Sequence, residues 1–385
     1  MTLSQKLWVP FGPEGEPPIV RAVDEILDSA VASRASDVHI EPFAQGGRVR
    51  ERVDGVLRES RRLAQDAFER VSSRLKLLAG MDIADRRLPQ EGRYRTSAGG
   101  RWVEARVSSM PTVAGERLAI RLLEPDGAIP RLEELGMPAA LAARYRTLLH
   151  APAGFVVACG PTGSGKTTTL YASLAERNVV GQHICSVEDP VEIRLPGVAQ
   201  VQVNVRAGVT FAVALRAFLR QDPNVVMIGE MRDAETAGVA MAAALCGQLV
   251  LTTLHGNDSL HALERLAELG AAQRSIAAAV SCVVSQRLLR QLCTYCKTSE
   301  IPAQPVGCER CGGSGYWGRS AVFEMVAVSQ RLREAIARCE PLARRREIAL
   351  EDGYVSMRGA AVRLVESGET SLEEAERVLG MPEPS

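Results

Sequence analysis

The residues most able to do chemistry lie in one glycine-rich run, which reads G-P-T-G-S-G-K-T-T from residue 160 to residue 168. The run satisfies every fixed position of the phosphate-binding pattern G-x-x-x-x-G-K-[ST], in which backbone N–H groups close around phosphate oxygens. An apolar strand-like run ends just before it at Cys159, and a helix is predicted from Lys166 to Leu174. A chance glycine-rich turn is the alternative, but it would account for neither flanking element.

In such a loop each residue type has a defined use. Lys166 reaches the β- and γ-phosphates of a nucleotide, the Thr167 hydroxyl is a ligand of Mg²⁺, and the helix N-terminus adds positive potential. The sequence therefore predicts a site for ATP with Mg²⁺, and its predicted residues are Gly160, Pro161, Thr162, Gly163, Ser164, Gly165, Lys166, Thr167 and Thr168.

Three further strand-like runs end in side chains that suit this site. The runs and the residues after them are Ile184 to Val187 with Glu188, Val225 to Ile228 with Glu230, and Leu249 to Thr253 with His255. Because the carboxyl ends of parallel strands meet at one edge of a sheet, these side chains are expected near the phosphate loop. A carboxylate there suits Mg²⁺ coordination or activation of water, and a histidine there would sense the γ-phosphate. Taken singly, an acidic pair is more often a helix cap or a solvated turn, and a lone histidine more often a core or surface residue.

Four of the nine cysteines lie in two C-x-x-C pairs, Cys293 with Cys296 and Cys308 with Cys311. Two such pairs supply the four sulfurs of a tetrahedral zinc site, so a structural zinc is predicted. The gap of 11 residues between the pairs is shorter than in the common zinc ribbon. A redox pair and four free thiols are the alternatives.

The pattern of elements divides the chain into two domains. Short strands around a hairpin signal at Asp54-Gly55 follow a helical pattern from Ile19 to Ala32, whereas buried apolar runs alternate with helices after residue 131, which predicts a doubly wound parallel sheet. The predicted bounds are a flexible leader, 1–18; an α+β domain, 19–124; a linker, 125–130; and an α/β domain, 131–385, with a cysteine module at about 290–318 and a helical tail at 329–380.

Composition narrows the function classes. The chain has zero formal net charge, 46% apolar residues and 16 aromatic ones, without a basic-aromatic groove pattern, which disfavours a nucleic-acid motor such as a helicase or DNA translocase. That class, and a small-molecule kinase or nucleotide-gated scaffold, remain as alternatives. No apolar run reaches the length of a membrane helix and no signal-peptide pattern is present, so a cytoplasmic protein is expected. Of the 46 Lys and Arg residues only four are Lys, namely Lys6, Lys76, Lys166 and Lys297.

Long stretches of the chain, from residue 19 to residue 380, resemble the secretion and pilus motor ATPases of the GspE/PilB type. The matching stretches of the first domain are Ala35–Pro42, Arg52–Leu57, Arg87–Arg93 and Arg106–Thr112. Those of the second are Ser186–Glu192, similar to the family's Asp box, Leu219–Asp233, similar to its Walker B region, and Thr252–Asp258, similar to its His box.

The resemblance implies a RecA-like P-loop core preceded by a smaller PAS-like α+β domain. It implies a motor that hydrolyses ATP to assemble pilin or pseudopilin fibres in type II secretion or type IV pilus biogenesis. The motor would be a ring of six subunits, peripheral at the inner membrane through a platform protein. The implied roles are general base for Glu188, Mg²⁺ coordination for Glu230, neutralisation of phosphate charge on subunit closure for Arg106 and Arg121, and a contribution to the active site from Arg216 and Arg220.

Some features set this chain apart within the family. Its cysteine pairs favour the assembly and secretion branches over the retraction motors, which lack such cysteines. Asn224 stands where the family usually has Asp, and Gly256 where it usually has Thr. Type II secretion ATPases usually carry a further N-terminal domain that docks a membrane partner. With only 18 residues before the shared region, that mode of docking is not expected here.

Overall fold

The computed structural model describes residues 18–123 and 127–380, which form two compact units, Met1–Gly127 and Ala128–Ser385. The predicted leader lies outside the described residues except for Pro18, and so do residues 124–126 between the units and residues 381–385. None of the helices within the described ranges has the length and apolar character that a membrane span requires.

The first unit is an antiparallel sheet of six strands with two helices. The strand order is β3-β2-β1-β6-β5-β4. The bounds are α1 Pro18–Ala32, β1 Ala35–Pro42, β2 Gly46–Val53, β3 Val56–Ala64, α2 Gln65–Leu78, β4 Gln90–Ala98, β5 Arg101–Thr112 and β6 Gly115–Leu123. The hairpin predicted at Asp54-Gly55 is confirmed. Both residues have positive φ, 49° and 84°, as a two-residue turn between twisted strands requires.

One face of this sheet carries the core of the unit. Val23, Ile26 and Leu27 of α1 and Val71 and Leu75 of α2 are buried. They form one apolar cluster with alternate strand residues, because successive side chains of a strand point to opposite faces. The other face is therefore left to polar side chains, which are mostly arginines and acids.

The second unit contains a sheet of seven strands in the order β13-β12-β7-β11-β10-β8-β9, and all of its pairings are parallel except that of β12 with β13. The strands are β7 Gly154–Cys159, β8 Ile184–Glu188, β9 Val198–Gln202, β10 Val225–Ile228, β11 Leu249–Leu254, β12 Val280–Leu292 and β13 Tyr316–Ala327. The helices are α3 Ala139–Leu149, α4 Lys166–Arg177, α5 Phe211–Leu219, α6 Ala234–Leu245, α7 Ser259–Glu268, α8 Gln273–Ala279, α9 Gln330–Ala337, α10 Leu342–Glu351, α11 Met357–Glu366 and α12 Leu372–Leu379.

Two separate apolar clusters cover the two faces of this sheet, so the predicted doubly wound α/β sheet is confirmed. Along β7, for example, Val157 belongs to one cluster while its neighbours Val156 and Ala158 belong to the other. The four strands predicted from apolar runs are β7, β8, β10 and β11. The long strand β12 was not predicted, because polar residues interrupt its apolar run, and neither was its antiparallel partner β13.

The C-terminal helices pack back onto β12. Glu374 of α12 is fully buried and accepts hydrogen bonds from Arg290 of β12 and from Arg377, both at 2.7 Å. The Arg290 guanidinium also stacks on the ring of Tyr316 at 3.9 Å. Burial by itself would raise the pKa of Glu374, but the bonds from Arg377 and Arg290 outweigh it and hold that pKa below its usual value. The carboxylate thus stays charged at neutral pH and holds the tail on the strand.

Candidate active site and metal centre

The glycine-rich loop joins β7 to α4 in the order that the sequence predicts. Gly160, Gly163 and Gly165 all have φ in the left-handed range, at 153°, 76° and 89°. The Lys166 ammonium donates to the carbonyl oxygens of Gly160 and Pro161, at 2.8 and 2.9 Å. Burial lowers the pKa of Lys166. The two hydrogen bonds hold the ammonium against the backbone of the phosphate loop.

Gln286 of β12 supports the loop from the neighbouring strand. Its amide nitrogen donates to the Ser164 carbonyl at 2.7 Å, and its amide oxygen accepts from the Thr169 hydroxyl at 2.8 Å. A Cβ on Gly165 would come within 2.9 Å of the amide nitrogen, so the glycine makes this approach possible. A single buried side chain therefore joins the phosphate loop to the helix that follows it.

Charged side chains at the ends of β8, β10 and β11 form a connected cluster. Glu230 accepts from His255 at 3.0 Å and from Arg232 at 2.8 Å, and Arg232 also reaches Asp189 at 3.3 Å. The bonds to Glu230 raise the pKa of Arg232. Glu230 is 24% exposed, and its charge favours the protonated form of Lys166, which places the two side chains in one electrostatic site.

Glu188 has a different environment, although it ends the adjacent strand. It is 2% exposed and accepts hydrogen bonds from the hydroxyls of Ser186 and Tyr171 and from the Gln200 amide. Burial and the Glu188 charge raise the pKa of Tyr171, so its hydroxyl remains a donor. Three neutral donors therefore fix the position of this carboxylate, whereas Glu230 accepts from the Arg232 guanidinium and from His255.

The arginines of the first unit lie in a row across its polar sheet face. Arg106 of β5 is directly opposite Arg121 of β6, and Arg93 and Asp37 continue the row on the flanking strands. Residues that face each other across strands share a face of the sheet. Arg121 is 58% exposed and pairs with Asp37 at 3.0 Å, and Arg106 lies 3.7 Å from Glu104.

Arg216 and Arg220 are not part of the cluster at the strand ends. Arg216 pairs with Glu235 of α6 at 2.7 Å. Arg220 follows the end of α5, next to Gln221, whose carbonyl contacts His183 at 3.0 Å just before β8 begins. Arg220 therefore lies at the edge where the parallel strands start, opposite the phosphate loop. A role for either arginine in the active site stays a prediction.

The four cysteines of the two C-x-x-C pairs come together between β12 and β13. All four sulfurs lie within 4.8 Å of one another, and the Cys293–Cys308, Cys296–Cys311 and Cys308–Cys311 pairs are 3.9, 3.9 and 3.7 Å apart. Four thiolates around zinc at about 2.3 Å would be about 3.8 Å apart, so the donor set matches a tetrahedral ion. Backbone N–H groups of Gly307, Cys308 and Gly315 point at these sulfurs, as expected around thiolates.

Several residues of the site were missed by sequence reasoning. They are Tyr171, Ser186, Gln200, Arg232 and Gln286. Local signals exist for two of them, since Ser186 lies two residues before Glu188 and Arg232 lies two residues beyond Glu230. Gln286 bonds to residues 117 and 122 positions away, a contact that no local spacing indicates.

Sequence comparisons with known proteins support this architecture. The family model described as type II/IV secretion system protein matches residues 13–377. The type II secretion system protein HxcR of Pseudomonas aeruginosa is 45% identical over 362 residues, which are 94% of this chain and 77% of that protein. The chain belongs to the type II/IV secretion system protein family.

One further relative and one solved structure are also similar to this chain. The type IV pilus assembly ATPase PilB of Thermus thermophilus is 41% identical over 91% of this chain and 42% of its own length. The structure of the Legionella pneumophila ATPase DotB matches with a TM-score of 0.72 at 20% identity, over 96% of this chain and 97% of that one. The predicted family and RecA-like fold are confirmed, and the chain is an ATPase of this family.

The structure shows the surroundings of Gly256 and Asn224, the two departures from the family pattern. A Cβ on Gly256 would come within 2.6 Å of the Cys159 sulfur, so the glycine accommodates the cysteine that ends β7. The Asn224 side-chain oxygen accepts from the backbone N–H of His183 at 2.7 Å, and a carboxylate would make the same bond.

Removing the Tyr171 hydroxyl tests the role of the buried carboxylate. We expect Tyr171→Phe to lower kcat about tenfold, since one hydrogen bond to a charged group is lost, while the Kd for ATP stays unchanged. Steady-state ATPase assays and nucleotide titrations measure the two quantities. Tyr145→Phe is the matched control, because that buried hydroxyl bonds to Ser173 at 2.9 Å and not to Glu188. An equal loss in both variants would contradict the prediction.

Proposed function

We propose that this chain is an ATP-driven motor that powers the assembly of pilin or pseudopilin fibres, in type II secretion or in type IV pilus biogenesis. The observation that carries the proposal is one edge of the parallel sheet, where the phosphate loop, the buried Glu188 and the Glu230–His255 pair all follow the ends of strands. The names of its relatives support it, since they include a type II secretion protein and a pilus assembly ATPase.

In this proposal the side chains divide the chemistry between them. Lys166 leaves the carbonyls of its own loop and binds the β- and γ-phosphate oxygens. Thr167 and Glu230 would hold Mg²⁺, which neutralises phosphate charge when bound. Glu188 accepts the proton of the attacking water, and its three hydrogen-bond donors keep it in one orientation. His255 reports on the γ-phosphate through its bond to Glu230.

The proposed working form is a homo-hexamer at the cytoplasmic side of the inner membrane, held there by a platform protein. Family membership supports this placement. In a ring, the arginines of the first unit could neutralise charge at a nucleotide site. The transition state of phosphoryl transfer carries negative charge on three oxygens, and arginines delivered on closure complete its neutralisation in many motors. Arg106 and Arg121 are proposed to serve in this way.

We expect Lys166→Ala to abolish ATP turnover and to weaken ATP binding. The lysine puts a positive charge directly on the phosphate oxygens, where electrostatic stabilisation is the main source of catalysis. A phosphate-release assay and a titration with a fluorescent nucleotide measure both effects. Arg265→Ala removes an exposed charge that pairs with Glu268 on the surface of α7, and should behave as wild type. Near-normal hydrolysis by Lys166→Ala would contradict the proposed site.

The cysteine cluster is proposed to hold one structural zinc. Elemental analysis of the purified protein should find about one zinc per chain, and the pair of substitutions Cys308→Ser and Cys311→Ser should remove it, because two thiolates are lost. Cys339→Ser changes an exposed cysteine of the tail and should leave the zinc content unaltered. Chelation should raise hydrogen exchange in residues 293–315 before it affects β7. Equal zinc in the double variant and wild type would refute the site.

We expect Arg106→Ala and Arg121→Ala to bind ATP but to lose about 10³-fold in turnover. Mixing either variant with Lys166→Ala chains should restore part of the activity, because some subunit pairs then combine an intact loop with an intact arginine. Arg70→Ala is the control, since this exposed arginine lies on α2 and pairs with Asp66 in the preceding turn of the helix. Full activity of the arginine variants would leave Arg106 and Arg121 as part of a solvated sheet face.

A further inference from the structure

Arg287 of β12 lies beside the phosphate loop, although no motif contains it. The register of the parallel pair places Ser285 opposite Cys159, the last residue of β7, so Gln286 and Arg287 run alongside the start of the loop. The guanidinium lies so close that a Cβ on Gly160 would come within 3.3 Å of its Nη1. The carbonyl of the same glycine holds the Lys166 ammonium at 2.8 Å. Two cations thus flank one residue of the loop.

The hydrogen bonds of the Arg287 guanidinium go to backbone carbonyls. Its Nη2 donates to the Asn257 carbonyl at 2.7 Å and its Nη1 to the Gln286 carbonyl at 3.1 Å, and both acceptors are neutral. Within residues 18–123 and 127–380, no carboxylate makes an ion pair with it. Arg290, three residues along the same strand, is by contrast neutralised by Glu374. Burial lowers the pKa of Arg287, and the charges of Glu324 and Asp258 offset the cost of desolvation only in part.

Two half-buried cations around Gly160 repel each other and favour an anion of high charge. The terminal phosphates of a nucleoside triphosphate carry that charge, and guanidinium groups bind phosphate oxygens through strong, charge-assisted hydrogen bonds. The bond from Arg287 to Asn257 also ties its position to the loop that carries His255, two residues earlier in the chain.

We propose that Arg287 is a second phosphate-binding cation of the nucleotide site, which binds the γ-phosphate of ATP from the β12 side together with Lys166. This inference rests on the ATP site proposed above. It adds a residue that distinguishes a triphosphate from a diphosphate. Because Arg287 also bonds to Asn257, loss of the γ-phosphate changes the force that Arg287 exerts on the loop from His255 to Asp258.

The test is a pair of nucleotide titrations, with ATPγS and with ADP, on Arg287→Gln and Arg287→Lys. Arg287→Gln should weaken ATPγS about tenfold or more, as the loss of a charge-assisted bond predicts, and ADP much less. Arg287→Lys keeps the charge and should recover part of the ATPγS affinity. Arg265→Gln, on the surface of α7, is the control for the loss of one arginine charge. Melting temperatures without nucleotide measure any loss of folding.

The outcomes separate this inference from the function on which it rests. If Arg287→Gln binds ATPγS as wild type does while Lys166→Ala does not, the ATP site stands and the role of Arg287 is refuted. If Lys166→Ala also binds normally, the proposed site itself fails. If Arg287→Gln lowers ATPγS and ADP affinity equally and melts lower, and Arg287→Lys gives no recovery, Arg287 only supports the Asn257 loop and the inference is overturned.

Discussion

The parallel pairing of β7 with its two neighbours is the constraint on which the site depends. Leu254 of β11 and Ser285 of β12 both lie opposite Cys159, the last residue of β7. That register brings His255 to one side of the phosphate loop and the pair Gln286-Arg287 to the other. A one-residue slip would turn every side chain of the slipped strand to the other face of the sheet. The buried apolar clusters on both faces prevent such a slip, so core packing also sets the geometry of the site.

The choice between lysine and arginine shows where geometry matters. Only four of the 46 basic residues are Lys, and each of the three that the structure describes donates to a backbone carbonyl. Lys166 bonds to the phosphate loop, Lys76 to Asp85 and Lys297 to Gly368. A compact ammonium can approach a carbonyl in a confined space, whereas the wide, planar guanidinium suits carboxylates. Arginines make most of the carboxylate pairs among the described residues, although Lys76 also pairs with Glu116 at 2.8 Å. Arg287, like Arg333, donates to backbone carbonyls.

Strand β12 connects three parts of the second unit. Gln286 and Arg287 lie at the phosphate loop, Arg290 is bound to Glu374 of the tail, and Cys293 of the sulfur cluster follows the end of the strand. The backbone N–H of Leu292 also donates to a carbonyl of the tail, that of Glu369, at 2.8 Å. The cluster and the tail therefore anchor the far end of a strand whose middle shapes the nucleotide site. A motor that must transmit force from this site has a stiff element there.

The sequence by itself determined what depends on short-range spacing. The phosphate loop is a contiguous run, the cysteine pairs lie within 19 residues, and the acids and histidine directly follow apolar strands. The family, the fold class, Glu230 and His255 were therefore predictable, because each follows from residues close together in the chain, whereas Arg232 was not. The helical character of the tail was predictable for the same reason.

Only the tertiary structure decided the surroundings of these residues. It buried Glu188 among neutral donors and paired Glu230 with the Arg232 guanidinium, although both simply follow a strand. It placed Gln286 against Ser164 across 122 residues, and it placed Arg220 at the edge where the parallel strands start. Such contacts depend on strand order and register, which arise from the packing of the whole core, and local spacing holds no information about them.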